Sequence, residues 1–305
     1  MAIPLIDLNE PGQAGEHGAL PACINQALVQ HGFMAVQGHG VAPAVLDAAF
    51  AASQRFFALP EATKRRWHIE QSPLARGFDP IGWQALDPAA PPDVKESYYL
   101  GAEALGPNPW PDEAVAPGFR AALEACAAAQ TALARRLMAL MAQALGLPAG
   151  FFEPFMRVQG GTTRLLHYPP QPAQPAPGQV GCGAHTDWGA LTLLAQDNAG
   201  GLQVQATDGR WLEVPPIPGA FVVNIGDLMA RWTNGRWRST PHRVINRAGR
   251  ERYSIAYFLD MDADAVIEPL PGCVSENRPA RHGPIAAGEH LAEMRRRTTV
   301  GAGAA

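Results

Sequence analysis

The stretch GCGAHTDWGALTLL, residues 181–194, decides how the second half of the chain folds and what it does. Its small and apolar residues are typical of a buried strand, but His185, Thr186 and Asp187 interrupt them. Burying an imidazole and a carboxylate without partners is unfavourable, so a core strand does not carry them without a reason. Side chains two positions apart on a strand share a face, so His185 and Asp187 are predicted to project together.

Short strands separated by turns repeat through the chain after about residue 150. Turn sequences at 207–209 and 233–235 separate some of them. Many short strands at regular spacing are typical of a sandwich or barrel, here a jelly roll, or double-stranded β-helix. The predicted strands are TTRLLHYP (162–169), HTDWGALTLLAQ (185–196), GLQVQA (201–206), RWLEVP (210–215), AFVVNIGD (220–227), RVINR (243–247) and RYSIAYFLD (252–260).

The first part of the chain is predicted to be mainly helical. Apolar residues recur at helical spacing over 19–30, from Pro43 onward, and over 119–147. We divide the chain into residues 1–117, a region of helices, short strands and covering loops, and residues 118–305, a long helix followed by the jelly roll. The predicted fold class is mainly β with flanking helices (α+β).

Composition narrows the class of protein. The 305 residues carry a net charge of -4 and no basic run, which gives no case for a nucleic-acid partner. The N-terminus does not have the pattern of a signal peptide, and no stretch is long and apolar enough for a membrane span. The four cysteines are scattered. We expect a cytoplasmic protein without a membrane partner, as a monomer or weak homo-oligomer.

A third candidate metal ligand follows downstream. RSTPHRVIN (238–246) places His242 at the head of another predicted strand. Two histidines and one carboxylate on one side of a metal leave coordination positions open, which is typical of non-haem Fe(II) oxygenases. Zinc accepts the same types of ligand, so both metals remain candidates on this pattern alone.

A second pair of residues favours iron. RYSIAYF (252–258) places Arg252 and Ser254 two positions apart on one strand face. A guanidinium beside a hydroxyl suits a carboxylate, and a buried arginine without such a partner is unfavourable. The pair therefore predicts a dicarboxylate co-substrate, with one end on the metal and the other on Arg252 and Ser254.

Taken in order, His-Thr-Asp, then His242, then Arg-x-Ser resemble the iron(II)- and 2-oxoglutarate-dependent dioxygenases, and more narrowly their isopenicillin N synthase-like subfamily. A single HxD is a weak signal, but several motifs in the right order are a strong one. The resemblance covers nearly the whole chain. Its other motifs are IPLIDL (3–8), HGFMAVQGHGV (31–41), FFALPEATK (56–64), ARGFDPIG (75–82), LHYPPQP (166–172) and HGPIAAGEHL (282–291).

The resemblance implies a role for each of these residues. Fe(II) would be bound by His185, Asp187 and His242, and the distal carboxylate of 2-oxoglutarate by Arg252 and Ser254.

Tyr168 matches a family tyrosine that hydrogen-bonds the same carboxylate. Plant members usually have Asn where this chain has Leu166 and a second Tyr where it has His167. On a strand, His167 would face away from Leu166 and Tyr168. These departures change the surroundings of the co-substrate and leave the three metal ligands intact.

The implied function is oxidation of a small-molecule substrate by O2, through hydroxylation, desaturation or ring closure, with release of succinate and CO2. One alternative is an iron oxidase of the same fold that does not use 2-oxoglutarate. Another is a non-catalytic jelly-roll binding protein, against which the intact ligand set argues. Substrate contacts are expected from large side chains near the mouth of the barrel: Phe78, Trp83, Tyr98, Leu100 and Trp188.

Overall fold

The computed structural model describes residues 3–9, 19–84, 91–158, 161–171 and 178–298. The helices are α1 (Ala19–Gln30), α2 (Pro43–Phe57), α3 (Glu61–Lys64), α4 (Phe119–Ala144), α5 (Asp227–Trp232) and α6 (Ala287–Thr298). The strands are β1 (Leu5–Asp7), β2 (Phe33–Gln37), β3 (Gly77–Asp79), β4 (Glu96–Gly101), β5 (Gly161–Tyr168), β6 (Cys182–His185), β7 (Leu191–Gln196), β8 (Leu202–Gln205), β9 (Trp211–Glu213), β10 (Phe221–Ile225), β11 (His242–Val244), β12 (Arg252–Leu259), β13 (Val266–Ile267) and β14 (Ile285–Ala286).

Two facing sheets form the jelly roll. The larger sheet has eight strands in the order β1-β2-β10-β7-β12-β5-β4-β3, and the smaller has four in the order β6-β11-β8-β9. β1 and β2 pair in parallel, whereas the neighbours β10, β7, β12 and β5 pair antiparallel. The predicted jelly-roll core with flanking helices is confirmed. No helix in the described ranges is both long enough and apolar enough to cross a membrane.

The larger sheet is buried on both faces. Its outer face packs against α1, α2 and α4 through residues such as Leu165 and Ile255. Its inner face meets the smaller sheet through Leu166, Tyr168 and Ala256. Consecutive strand residues therefore point into different clusters, as the pleat of a strand requires.

The N-terminal region supplies both edges of the larger sheet. β1 and β2 lie at one edge, beside β10, and β3 and β4 lie at the other, beside β5. Residues 1–117 and 118–305 therefore share one sheet.

One predicted strand is in fact two. β6 ends at His185, and β7 begins at Leu191 in the other sheet. Asp187 lies in the connection between the two sheets, so the prediction of a single strand over residues 185–196 is wrong. The argument that strand alternation aligns His185 with Asp187 fails with it.

At Asp187, the connection is hydrogen-bonded to the start of α5. The amide of Asp227 donates a hydrogen bond of 2.8 Å to the carbonyl of Asp187. Gly226 allows this approach, because a Cβ at that position would lie 2.3 Å from the carbonyl oxygen of Gly189. This tertiary contact therefore holds the backbone of Asp187 in the connection against the start of α5.

Candidate metal and co-substrate site

Three side chains converge where β6, the connection after it and β11 meet. The possible ligand atoms of His185, Asp187 and His242 all lie within 4.8 Å of one another. Oδ1 of Asp187 is 3.9 Å from Nε2 of His185 and 3.8 Å from Nε2 of His242. Within the described ranges, no other group of His, Cys, Asp and Glu side chains is arranged to hold a metal ion.

Backbone carbonyls orient both imidazoles. Nδ1 of His185 lies 2.8 Å from the carbonyl oxygen of Gly183, and Nδ1 of His242 lies 3.2 Å from that of Thr240. A carbonyl only accepts, so each Nδ1 carries the proton and donates it. The lone pair of each ring is then on Nε2, the atom nearest to Asp187, as a metal ligand requires.

The Asp187 carboxylate is fixed through one oxygen. Its Oδ2 accepts hydrogen bonds of 2.6 Å from the hydroxyl of Thr192 and 2.6 Å from the side-chain amide of Asn224. Oδ1 is left facing the two imidazoles. Neither Thr192 nor Asn224 was predicted, because their role depends on how β7 and β10 pair.

Burial and the neighbouring side chains together set the protonation states of the three residues in the cluster. Burial lowers the pKa of His185, and together with the neighbouring His185 it lowers the pKa of His242 to about 4. Burial alone would raise the pKa of Asp187, but the two histidines and the bonds from Asn224 and Thr192 hold it below its ordinary value. Two neutral imidazoles and one carboxylate are the forms that bind a divalent metal, so the donor set fits Fe(II).

Arg252 is a buried cation that has no anionic partner among the described residues. Its Nε donates to the carbonyl of Gly200 (2.7 Å), its Nη2 to Oε1 of Gln196 (3.0 Å) and its Nη1 to the hydroxyl of Ser254 (3.3 Å). Only 1% of the residue is exposed, and no carboxylate of the described residues forms an ion pair with it. A buried guanidinium in this state fits a carboxylate ligand.

Tyr168 lies directly across from Arg252 in the β5–β12 pair, and the guanidinium stands 4.7 Å from the centre of its ring. Burial raises the pKa of Tyr168, so its phenol stays protonated and able to donate. Leu166 faces the same side, across from Ser254. His167 faces the outer side, as predicted, and its Nδ1 is 2.8 Å from Glu96.

Three of the five predicted substrate contacts lie on the outer face. Phe78, Tyr98 and Leu100 are buried in the cluster beneath the helices, where the rings of Tyr98 and Phe56 are 4.8 Å apart. The structure does not bring them to the metal cluster. Tyr99, the intervening residue, faces the inner side and packs against the guanidinium of Arg164.

The two predicted tryptophans lie elsewhere. Trp188 is half-buried beside Asp187, and its carbonyl is 3.0 Å from Nε2 of His290 on α6. Trp83 is 44% exposed and contacts the ring of His68 at 4.8 Å.

Comparison with known proteins agrees with this geometry. The sequence profile of the 2OG-Fe(II) oxygenase superfamily matches residues 159–261. A second profile, described as the N-terminal region of the non-haem dioxygenase in morphine synthesis, matches residues 3–113. A 2-oxoglutarate-Fe(II) type oxidoreductase of Aspergillus fumigatus is 37% identical over 294 residues, covering 90% of this chain and 86% of the relative. Homoarginine-6-hydroxylase of Oryza sativa is 32% identical, covering 96% of each chain.

Solved structures match over almost the full length. The crystal structure of a full-length Neurospora crassa protein in complex with alpha-KG has a TM-score of 0.88 and 34% identity, covering 97% of this chain and 96% of that chain. A second structure of the same Neurospora protein contains alpha-KG and thymine, with a TM-score of 0.88 and 33% identity over 97% of each chain.

The chain belongs to the 2OG-Fe(II) oxygenase superfamily and is of its isopenicillin N synthase-like type. It is a 2-oxoglutarate- and Fe(II)-dependent oxygenase, with O2 as the usual co-substrate. The predicted family, enzyme class and cofactors are therefore confirmed. The comparisons favour this function over an oxidase that does not use 2-oxoglutarate and over a binding protein without activity.

Proposed function

We propose that His185, Asp187 and His242 hold the Fe(II), and that Arg252 and Ser254 bind the distal carboxylate of 2-oxoglutarate. The observation that carries this assignment is the combination of a converged His/Asp/His cluster with a buried arginine that has no anion among the described residues. Tyr168, stacked on that arginine, adds a phenol donor to the same carboxylate.

The residues of the chain then have separate tasks. Fe(II) held by the three ligands would supply oxygen activation and substrate oxidation, coupled to the oxidative decarboxylation of 2-oxoglutarate to succinate and CO2. The bonds from Thr192 and Asn224 hold the Asp187 carboxylate in one orientation. Gln196 and Gly200 fix the guanidinium of Arg252 before the co-substrate arrives, which limits the ordering that binding requires.

The substrate is proposed to be a small molecule, changed by hydroxylation, desaturation or ring closure. The Neurospora protein is solved with thymine, and the rice relative is named for homoarginine, so relatives of similar identity differ in substrate. Trp188, beside Asp187, is the predicted contact that lies nearest in the chain to the metal ligands, and Trp83 stays a prediction. The cytoplasmic location, the monomeric or weakly oligomeric state and the lack of a nucleic-acid partner also stay predictions.

Binding measurements test the assignment. Under nitrogen, Fe(II) followed by 2-oxoglutarate should produce the weak visible absorption band of a metal-bound 2-oxo acid. His185→Ala should abolish metal binding. Arg252→Gln should keep metal binding and weaken 2-oxoglutarate binding about 100-fold, in line with the loss of charged hydrogen bonds.

Arg120→Gln is the matched control, because Arg120 is half-exposed on α4. An Arg252→Gln variant that binds 2-oxoglutarate as the unmodified protein does would contradict the assignment.

A further inference from the structure

A second buried arginine shares the inner face with Arg252. Arg164 on β5 pairs with Tyr99 on β4 and with Ala256 on β12, two residues beyond Ser254. Because residues two apart share a face, Arg164 lies on the same side of the larger sheet as the proposed co-substrate residues.

The pairing also places Arg164 relative to the metal cluster. Thr192, which donates to Asp187, pairs with Phe258 across the other flank of β12. Arg164 and Thr192 are therefore two strands and two residues apart, about 12 Å between Cα atoms from standard strand spacings. A ligand that contacts both Arg164 and the metal cluster has to extend across this distance.

The guanidinium of Arg164 is held in a fixed plane. Its Nη2 donates to the hydroxyl of Ser97 (2.7 Å) and to Oε1 of Gln84 (2.9 Å). Its Cζ lies 4.4 Å from the centre of the Tyr99 ring, and Gln84 also donates to the Tyr99 hydroxyl at 2.9 Å. Nε of Arg164 is buried and has no hydrogen-bond partner among the described residues, so the preorganised guanidinium keeps a donor for a ligand.

The two arginines differ in their countercharges. Oδ2 of Asp79 lies 3.4 Å from Nη2 of Arg164, and both side chains are buried. Arg252 has no such partner among the described carboxylates. A buried cation without an anion suits an anionic ligand, whereas a cation already neutralised suits a neutral acceptor, because a second buried negative charge would be unpaired.

We propose that Arg164 recognises a carbonyl oxygen of a small neutral substrate, such as a cyclic or aromatic amide, and that Asp79 selects against carboxylate substrates. This inference rests on the proposed function, because it places the substrate between Arg164 and the metal cluster. Thymine, which is bound in the Neurospora relative, is a neutral compound of this class.

The test measures binding without turnover. The full chain is loaded with Mn(II) and saturating 2-oxoglutarate, and binding is followed by equilibrium dialysis. The probes are three matched pairs: thymine and 5-carboxyuracil, benzamide and benzoate, nicotinamide and nicotinate. In at least one pair the neutral member should bind about 10-fold or more tightly than its carboxylate counterpart, as expected for an ion left unpaired.

Two variants separate the contribution of Arg164 to substrate binding from that of Asp79 to selectivity. Arg164→Gln should weaken binding of the neutral probe at least 10-fold and leave 2-oxoglutarate affinity unchanged. Asp79→Asn keeps the shape and removes the countercharge, so the preference should shift at least 10-fold toward the carboxylate member. Arg120→Gln, which changes a guanidinium stacked on Trp110 outside the sheet, should change neither.

The inference is overturned if no neutral probe binds better than its carboxylate partner, if Arg164→Gln binds the probes normally, or if Asp79→Asn leaves the preference unchanged. If the unmodified protein did not bind 2-oxoglutarate at all, the proposed function would be overturned. A failure of the proposed function can therefore be distinguished from a failure of this inference.

Discussion

Asp187 is held at one oxygen and free at the other, which is the arrangement of a carboxylate prepared to bind a metal. The hydroxyl of Thr192 and the amide of Asn224 both reach Oδ2. Such outer hydrogen bonds fix the direction of a ligand and tune its affinity for the metal.

Thr192→Val keeps the side-chain shape and removes one of these donors. We expect metal affinity to fall about 10-fold, the lower end of the usual effect of an outer-sphere change. Equilibrium dialysis with Mn(II) measures it. Thr163→Val is the control, because Thr163 bonds Gln130 on the outer side of the sheet. Equal losses in the two variants would mean that the effect is on general stability.

Asp260, just after β12, should make stability fall as pH rises. Burial raises its pKa to about 6, while Arg295 opposes the shift and the charge of Asp187 adds to it. The folded chain then binds more protons than the unfolded chain between about pH 4 and pH 6, so the free energy of unfolding decreases across this window.

Asp260→Asn removes that penalty. We expect the variant to be more stable than the unmodified protein at pH 8, by about 2 kcal/mol, and to match it near pH 4. Urea unfolding with EDTA measures the difference. Asp264→Asn provides the contrast, because Arg157 lowers the pKa of Asp264 and its removal should give no gain. A pH-independent gain from Asp260→Asn would contradict the explanation.

That the three candidate metal ligands converge was predictable from residue types and order, and which neighbours on the sheet contact them was not. The types and order of His185, Asp187 and Arg252 indicated their chemistry before any pairing was known. Tyr98 and Tyr99 are adjacent tyrosines, and only the pairing of β4 with β5 decides which one faces inward.

At the scale of elements, the connection between β6 and β7 is set by the helix that follows β10. Gly226 precedes α5, and a Cβ there would lie 2.3 Å from the Gly189 carbonyl oxygen and 2.8 Å from that of Asp187. Both obstacles are backbone atoms, so the chain has to shift to accept a side chain.

Gly226→Ala should therefore affect both folding and metal binding. We expect the free energy of unfolding to fall by about 2 kcal/mol, a typical cost of overpacking, together with weaker Mn(II) binding. Urea unfolding and dialysis measure the two effects. Gly150→Ala, where a Cβ meets open space, should change neither. If Gly226→Ala retained full metal affinity, the helix contact would not be what positions Asp187.

The break in the predicted strand over residues 185–196 could not be read from the sequence. The apolar residues after the break continue the pattern of a strand without interruption. At the break, the backbone is hydrogen-bonded to the start of α5, which lies far along the chain. By contrast, α1 runs over Ala19–Gln30, as its apolar spacing predicts, because a helix needs only local hydrogen bonds.

At the scale of the whole molecule, the metal should stabilise the fold first, and the co-substrate should add to this only after the metal has bound. Ligand present at 100 times its Kd adds about 2.7 kcal/mol to the free energy of unfolding. Mn(II) should raise the Tm by several degrees, and 2-oxoglutarate should raise it further only when the metal is present.

Arg252→Gln should keep the gain from Mn(II) and lose most of the gain from 2-oxoglutarate. Thermal unfolding followed by circular dichroism measures both. The assignment of Arg252 would fail if 2-oxoglutarate stabilised this variant as much as the unmodified protein.

The overall class was predictable because helices and strands leave periodic patterns. That the N-terminal region supplies both edges of the larger sheet was not, since β2 pairs with β10 far along the chain. Pairing between distant strands leaves no local pattern.

The same arrangement has a consequence for synthesis. The ribosome makes β1–β2 and β3–β4 first, but the second partners of β2 and β4 are β10 and β5, so each early pair has an exposed edge while translation continues. The larger sheet can close only after β12 has been made, because β12 joins β7 to β5. Nascent chains stalled before Arg252 should therefore be the ones that require chaperones, and chains released after Leu259 the first able to mature unaided.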